Sequence, residues 1–119
     1  MRPEPASFLP LRPVDFVLLL SLVDAEQHGY ALAREIADRT EGVVQLGAGN
    51  LYRVIKRLLE DGLVAQAARR ALPEDDDERR VYYRITPLGA RVAALEAQRL
   101  RTLLASKSVR SLAPLVDHA

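Results

Sequence analysis

The chain contains no cysteine and no tryptophan, and it has few of several other chemically active residues. Its 119 residues include two histidines, two phenylalanines and one methionine. The lack of cysteine excludes disulfides, thiolate metal sites and cysteine nucleophiles, and it favours a cytoplasmic location. The histidines, His28 and His118, are far apart, and neither has an acidic residue at a spacing that completes a metal site. We therefore expect no bound metal.

Long apolar runs are also scarce. Residues 14–23 form a very apolar run, but it is too short to cross a membrane and is interrupted by Asp15 and Ser21. The run therefore predicts a buried helix, and we expect no membrane association. No nucleophile–base arrangement, phosphate-cradling loop or dinucleotide fingerprint is recognisable, so we expect neither an enzyme nor a cofactor.

The charge is nearly balanced overall but uneven along the chain. The net charge is +1, from 17 basic and 16 acidic residues. Residues 1–46 contain four basic and seven acidic groups, whereas residues 47–70 contain five basic and two acidic groups. Residues 74–78 are all acidic. Fifteen of the basic residues are arginine, which suits phosphate and guanine contacts, although codon bias is an alternative reason for so much arginine. The balance excludes a uniformly basic coat and leaves room for a localised nucleic-acid surface.

The pattern of apolar and turn residues predicts four helices and one β-hairpin. Proline at the first helical position marks two helix starts, and glycine marks helix ends. The predicted helices cover residues 13–24, 30–40, 50–61 and 87–106, and the predicted strands cover residues 63–67 and 80–85. This order predicts a mainly α fold with a small β-hairpin, a winged helix-turn-helix with a C-terminal dimerisation helix. The expected boundaries are an irregular arm at 1–11, a winged-helix domain at 12–86, a dimerisation helix at 87–110 and a tail at 111–119.

The third predicted helix has two chemically different faces. One arc is apolar and contains Leu51, Ile55, Leu58 and Leu59. The other arc carries an amide, a phenol and three cations, namely Asn50, Tyr52, Arg53, Lys56 and Arg57. Such groups suit base edges and phosphates. A solvated face, with the cations paired to Glu60 and Asp61, is the alternative.

The first and last predicted helices are more apolar than one small core requires. A surplus of this kind indicates burial against a second copy of the chain in a symmetric contact. The residues expected in that contact are Phe16, Leu19, Leu20, Val92, Leu95, Leu100, Leu103 and Leu104. The alternative is a last helix that folds back on its own domain.

Three stretches in order are similar to one known family. They are His-Gly-Tyr at 28–30, the run Leu-Gly-Ala-Gly-Asn-Leu-Tyr-Arg at 46–53, and Arg-Arg-Val-Tyr-Tyr-Arg-Ile-Thr-Pro-Leu-Gly at 79–89. Together they resemble the PadR family of transcriptional regulators over about residues 9–104. The resemblance implies a homodimeric bacterial repressor, with the third helix in the major groove of a pseudo-palindromic operator and the wing on the DNA backbone or minor groove.

Carried over to this sequence, the resemblance assigns a DNA-binding surface. Its residues are Asn50, Tyr52, Arg53, Lys56 and Arg57, with Tyr30 as a phosphate contact and Arg79 and Arg80 in the stem of the wing. The chain departs from the family at Asn50, where threonine or serine is common, which leaves the base preference open. It also departs at the acidic tip, residues 74–78, which phosphates would repel. We expect that tip to point away from DNA or to fold onto nearby arginines.

The resemblance also implies a small aromatic or lipophilic effector, bound between the first helix and the partner's last helix. The residues expected around it are Phe16, Leu20, Leu95 and Arg99. A filled interface without a ligand is the alternative. Because a fold does not fix a function, a winged-helix module for protein assembly without DNA binding is the second hypothesis.

Overall fold

In the computed structural model, which describes residues 3–67 and 81–116, the four predicted helices and the two predicted strands occur in the predicted order, with one additional short strand and one additional C-terminal helix. The helices are α1 (Pro13–Val23), α2 (Gly29–Arg39), α3 (Ala48–Glu60), α4 (Pro87–Leu104) and α5 (Lys107–Val116). The strands are β1 (Gln27–His28), β2 (Val64–Gln66) and β3 (Tyr82–Ile85), and a 3-10 turn covers Pro5–Phe8. The mainly α class with a small sheet is confirmed.

Caps explain where the helices begin and end. Pro13 and Pro87 lie at helix starts, where the missing N–H costs nothing. The Thr86 hydroxyl accepts a hydrogen bond from the Gly89 N–H at 2.9 Å and caps α4. After α3, Gly62 adopts φ 77°, a left-handed conformation that favours glycine, and the chain turns into β2.

The sheet has three antiparallel strands in the order β1-β3-β2. The hairpin of β2 and β3 matches the prediction, and Ala65 lies opposite Arg84. Strand β1 was not predicted, because its two residues lie in a polar turn and pair with β3 far along the chain. Gln27 lies opposite Tyr83, and His28 lies opposite Tyr82. The short strand fixes the start of α2 against the wing.

The core is formed by the inner faces of α1–α4 and the sheet. Its fully buried members include Leu18, Leu19, Leu32, Ile36, Leu58, Leu63, Val64 and Val92. Leu19 and Val92 were expected to contact a second copy, and that prediction is wrong. Both side chains have 0% exposure within a single chain, so they have no surface left for a partner.

Gly89 is the point at which α4 approaches the sheet most closely. A Cβ atom at this position would lie 2.0 Å from the Leu63 carbonyl oxygen and 3.0 Å from Ile85 Cγ1. Backbone cannot give way by that amount, so only glycine allows α4 to pack here. The packing holds the first turn of α4 against the winged-helix body.

The C-terminal part of the chain differs from the prediction. One helix was expected over 87–106, in a dimerisation segment at 87–110 followed by a tail at 111–119, but α4 ends at Leu104 and a second helix, α5, continues to Val116. The Ser106 hydroxyl accepts a hydrogen bond from the Val109 N–H at 3.3 Å and starts α5. None of the α5 residues is buried. Within residues 3–67 and 81–116, every helix falls short of the length or hydropathy needed to cross a membrane.

Candidate nucleic-acid interface

Helix α3 places its polar arc on the outside of the molecule. Its inner arc is buried and consists of Leu51, Val54, Ile55 and Leu58, while Leu59 is only half-buried. Val54, which the sequence pattern did not assign to the core, is buried, and Leu59 packs against the core only in part. The opposite arc exposes Asn50, Arg53 and Lys56, and 61% of Tyr52 is exposed. The structure therefore brings four of the five predicted α3 residues to one open face.

Arg57 is the exception among the predicted α3 residues. Its Nη2 atom lies 2.5 Å from Asp15 Oδ1 on α1, and its side chain is only 33% exposed. Asp15 itself is buried. The guanidinium therefore lies in an ion pair inside the chain, and the assignment of Arg57 to the open DNA-binding face is corrected. Sequence spacing gave no signal for this contact, because the two residues are 42 positions apart.

Tyr30 lies at the start of α2 beside the face of α3. The His28 Nδ1 atom caps this helix by accepting a hydrogen bond from the Ala31 N–H at 3.3 Å. The His28 and Tyr30 rings are stacked with centroids 6.5 Å apart, and 71% of Tyr30 is exposed. The Arg34 guanidinium lies 6.0 Å from the Tyr30 ring centroid. Arg34 was not among the predicted site residues, and it adds a cation beside this phenol.

A groove of about 750 Å³ separates Tyr30 from Tyr52. Its lining includes Ala33, Leu51, Ile55 and Tyr83 between these two rings. Burial raises the pKa of Tyr83, and the neighbouring Tyr52 phenol raises that pKa further. Tyr30 and Tyr52 both line this mostly apolar groove and are more than half exposed, so both phenols are accessible to a ligand.

The wing contributes one exposed cation within the described residues, Arg84 on β3. Arg79, Arg80 and the acidic tip at 74–78 lie outside the described residues, so their assignments stay predictions. Over residues 3–67 and 81–116, no three His, Asp or Glu side chains are grouped so that they could hold a metal ion.

The residues expected at the dimer contact divide into buried and accessible groups. Leu95, Leu103 and Leu104 are 37%, 55% and 60% exposed, and Phe16, Leu20 and Leu100 are half-buried. A groove of about 540 Å³ runs beside Phe16 and is lined by Ala97, Leu100, Arg101, Leu104 and Ala105. Of the four residues expected around an effector, only Phe16 lines this groove. Leu20 and Leu95 do not contribute to it.

Arg99, the fourth residue expected around an effector, bonds within its own helix. Its Nε donates to Glu96 Oε1, and Glu96 Oε2 also accepts the Leu11 N–H at 2.6 Å. The hydrogen bond from Arg99 lowers the pKa of Glu96, burial opposes this effect, and the bond from Leu11 supports it. In return, the carboxylate raises the pKa of Arg99. This cluster fastens the N-terminal arm to α4 and was not predicted.

Comparison with protein families identifies one matching model. The model of the transcriptional regulator PadR-like family matches residues 18–95. An uncharacterised protein of Lysinibacillus sphaericus is 34% identical over 76 residues, which are 64% of this chain and 67% of that protein.

Comparison with solved structures finds the same fold in several regulators. A transcriptional regulator from Clostridium thermocellum is 24% identical, with 76% of this chain and 82% of that chain covered and a TM-score of 0.62. A PadR family transcription regulator from Clostridium difficile is 19% identical, with 87% of this chain and 97% of that chain covered and a TM-score of 0.65. RosR of H. salinarum is 20% identical, covers 93% and 94%, and has a TM-score of 0.65. At these identities the likeness shows the fold alone.

Proposed function

Since the chain belongs to the PadR-like family of transcriptional regulators, we propose that it is a homodimeric repressor that reads a pseudo-palindromic operator with α3. Membership of the family confirms the winged-helix class, a general role in DNA-binding regulation and the expectation that the chain is not an enzyme. The dimer, the repressor role and an effector are the finer parts of the proposal. A cytoplasmic location belongs to it as well, because the operator DNA lies there.

The observation that carries the proposal is the open polar face of α3. Arg53 and Lys56 are exposed and form no ion pair with another described residue. The alternative of a solvated face required pairing with Glu60 or Asp61, and Arg57 pairs with Asp15 instead. These two cations form no ion pair with the acidic residues that the structure describes, and they lie next to an amide and a phenol. Such a set of groups suits phosphates and base edges.

The support for a dimer comes from α4. Its buried stripe consists of Gly89, Val92, Ala93 and Glu96, and the same side of the helix continues through Leu100, Leu103 and Leu104. Leu103 and Leu104 are more than half exposed, so the stripe outruns the chain's own core. A helix that folded back on its own domain would cover these leucines. A second copy would bury them together with Phe16 in an isologous contact.

A dimer of this kind places two α3 helices on one face of the DNA. Helix-turn-helix dimers read half-sites separated by roughly 34 Å, which is one turn of B-DNA. We expect the operator to have this spacing and a pseudo-palindromic sequence.

The proposal also includes a small-molecule effector, which we assign to the groove beside Phe16. The groove has an apolar wall formed by Leu100 and Leu104 and lies on the surface that a second copy would cover. Thermal unfolding with a panel of aromatic acids and cationic drugs tests this assignment. A rise in melting temperature that disappears in Ala97→Trp, which fills the groove, would support it. No rise with any compound would favour a ligand-free interface.

The experiment that tests the function is a gel-shift titration on the DNA upstream of the chain's own gene. We expect a discrete complex that unlabelled copies of the same DNA displace far better than a scrambled sequence. A reporter gene behind the same DNA should be expressed less when the protein is present. Equal displacement by scrambled DNA, or no complex, would contradict the proposal and favour a protein-assembly module.

A further inference from the structure

Two carboxylates are buried in the described part of the chain, and both lie on helices that we assign to the dimer contact. Asp15 of α1 is 6% exposed, and Glu96 of α4 is 1% exposed. Each bonds one arginine, Arg57 or Arg99. Because removing a carboxylate from water is costly unless a cation compensates, each acid depends on its partner.

The two pairs differ in what they join. Glu96 and Arg99 are three positions apart on the same helix. Asp15 and Arg57 are 42 positions apart and join α1 to α3. The second pair therefore connects the proposed dimer helix directly to the helix that carries the DNA-binding face.

The position of Asp15 on α1 allows this connection to transmit a movement of α1 to α3. The following residue, Phe16, is rotated by about 100° around the helix, and it lines the groove with Leu100 and Leu104. One turn of α1 therefore contacts Arg57 on one side and the surface expected to meet the second copy on another. A movement imposed at the dimer contact reaches Arg57 without an intervening flexible segment.

The Asp15–Arg57 bond is a polar contact between two helix faces that are otherwise almost entirely apolar. The buried residues of α1 and α3 are all apolar except Asp15 and Ser21. The Ser21 hydroxyl donates to Val17 within α1. Apolar packing is non-directional, whereas a charge-assisted hydrogen bond has a defined direction and length. The bond therefore selects one arrangement among those that the apolar packing tolerates.

We propose that Asp15 is a positioning residue that fixes the angle of α3 relative to α1, so that the dimer contact sets the separation of the two α3 helices. The inference rests on the proposed dimer. Its consequence is that Asp15, which does not face DNA, determines which half-site spacing the regulator accepts.

The absence of cysteine allows a direct test in the full chain. A single Glu60→Cys substitution on the exposed end of α3 carries one spin label per protomer, and pulsed electron resonance measures the distance between the two labels. We expect one narrow distance distribution for this labelled chain. Adding Asp15→Asn should replace the narrow peak by a broadened or shifted distribution while the helical circular dichroism is retained.

Two further variants make the result interpretable. Arg57→Lys keeps the cation but loses the planar guanidinium, so it should broaden the distribution even if Asp15→Asn does not fold. Asp24→Asn is the matched control, because it removes the acid of the Asp24–Arg39 pair, in which Asp24 is 77% exposed. We expect the control to keep the narrow peak.

A purely structural role for the pair predicts a different result. In that case Asp15→Asn and Arg57→Lys would lower the melting temperature and leave the narrow distance peak unchanged, and this outcome would overturn the inference. A labelled parent chain that gives no distance between protomers would refute the proposed dimer itself, and the inference with it.

Discussion

The outer face of α3 and the end of α4 are both exposed, but they have opposite chemistry. The α3 face presents Asn50, Tyr52, Arg53 and Lys56. The end of α4 presents Leu103 and Leu104, and α5 adds Leu112, Leu115 and Val116. A row of polar and cationic groups is stable in water and ready for an anionic ligand. A row of exposed leucines is unfavourable in water, and an apolar patch of this kind is typical of a protein–protein contact site.

The difference lies in how far each helix is held by the core. Helix α3 is buried along its inner arc from Leu51 to Leu58, so its polar face is fixed in one position. Helix α4 is buried from Gly89 to Glu96 and then projects beyond the core. Under the proposed function, DNA contact would lie on α3, which the chain's own core holds, and assembly would lie on α4, whose last turns the core leaves exposed.

The largest expected effect comes from a charge on the projecting end of α4. We expect Leu104→Asp to destabilise the dimer by about 4 kcal/mol, because a symmetric contact contains the site twice and buried contacts of this type contribute about 2 kcal/mol each. Sedimentation equilibrium measures the change. Thr102→Asp, an exposed position on the same helix, is the control and should leave the dimer intact. If both variants dimerised equally well, the end of α4 would not be part of the dimer contact.

A substitution at the joint between the two regions has the next largest effect. Gly89→Ala forces a methyl group against the Leu63 carbonyl, where a Cβ would lie at 2.0 Å. We expect a loss of about 3 kcal/mol of unfolding free energy in urea, the upper part of the range for overpacking. Gly49→Ala is the matched control, because its Cβ would meet nothing within 4 Å. Alanine is the better helix former, so the control should be slightly stabilising.

Removing one cation tests whether the α3 face contacts DNA. Arg53→Ala should weaken operator binding by about 1–3 kcal/mol if Arg53 reads a base, or flatten the salt dependence by about one unit if it meets a phosphate. Arg91→Ala, an exposed arginine on α4, should change neither quantity appreciably. Fluorescence anisotropy with labelled DNA measures both. A variant indistinguishable from the parent would exclude Arg53 from the interface.

The smallest expected effect is a pH dependence at the buried carboxylate of α4. The pKa of Glu96 in the folded chain lies below its ordinary value of 4.5. The unfolded chain therefore binds the proton more tightly, and stability from Glu96 is present above 4.5 and is lost as the pH falls through the lowered pKa. Glu96→Gln should be less stable at neutral pH, and its unfolding free energy should fall less steeply on acidification. Glu60→Gln, at an exposed position, is the control and should change the unfolding free energy little at neutral pH.

Local signals in the sequence were sufficient for most helices and for the polar face of α3. Pro13, Gly62 and the Thr86–Pro87 pair mark their boundaries through backbone chemistry that needs no distant partner. The open position of Arg53 and Lys56 follows from helical periodicity. The membership of the family follows from three short motifs at family-like spacing, and the match to residues 18–95 confirms it.

Features that depend on distant contacts were not predictable in this way. Strand β1 exists because Gln27 and His28 pair with β3, which is more than 50 residues away. Arg57 has the same periodicity as Arg53, and only the position of Asp15 turns it inward. Glu96 can be buried because the Leu11 N–H and the Arg99 Nε–H donate hydrogen bonds to its carboxylate. Helix α5 was missed because Pro114 within it indicates a break by local rules.

The central claim is that α3 is the DNA-contacting face, and the salt dependence of operator binding tests it most directly. If each protomer neutralises about four phosphates, log affinity should fall with log salt with a slope of about −7. In a chain with Arg53→Ala and Lys56→Ala, the slope should drop to roughly half and the affinity should fall at every salt concentration. An unchanged slope and affinity in this double variant would contradict the account.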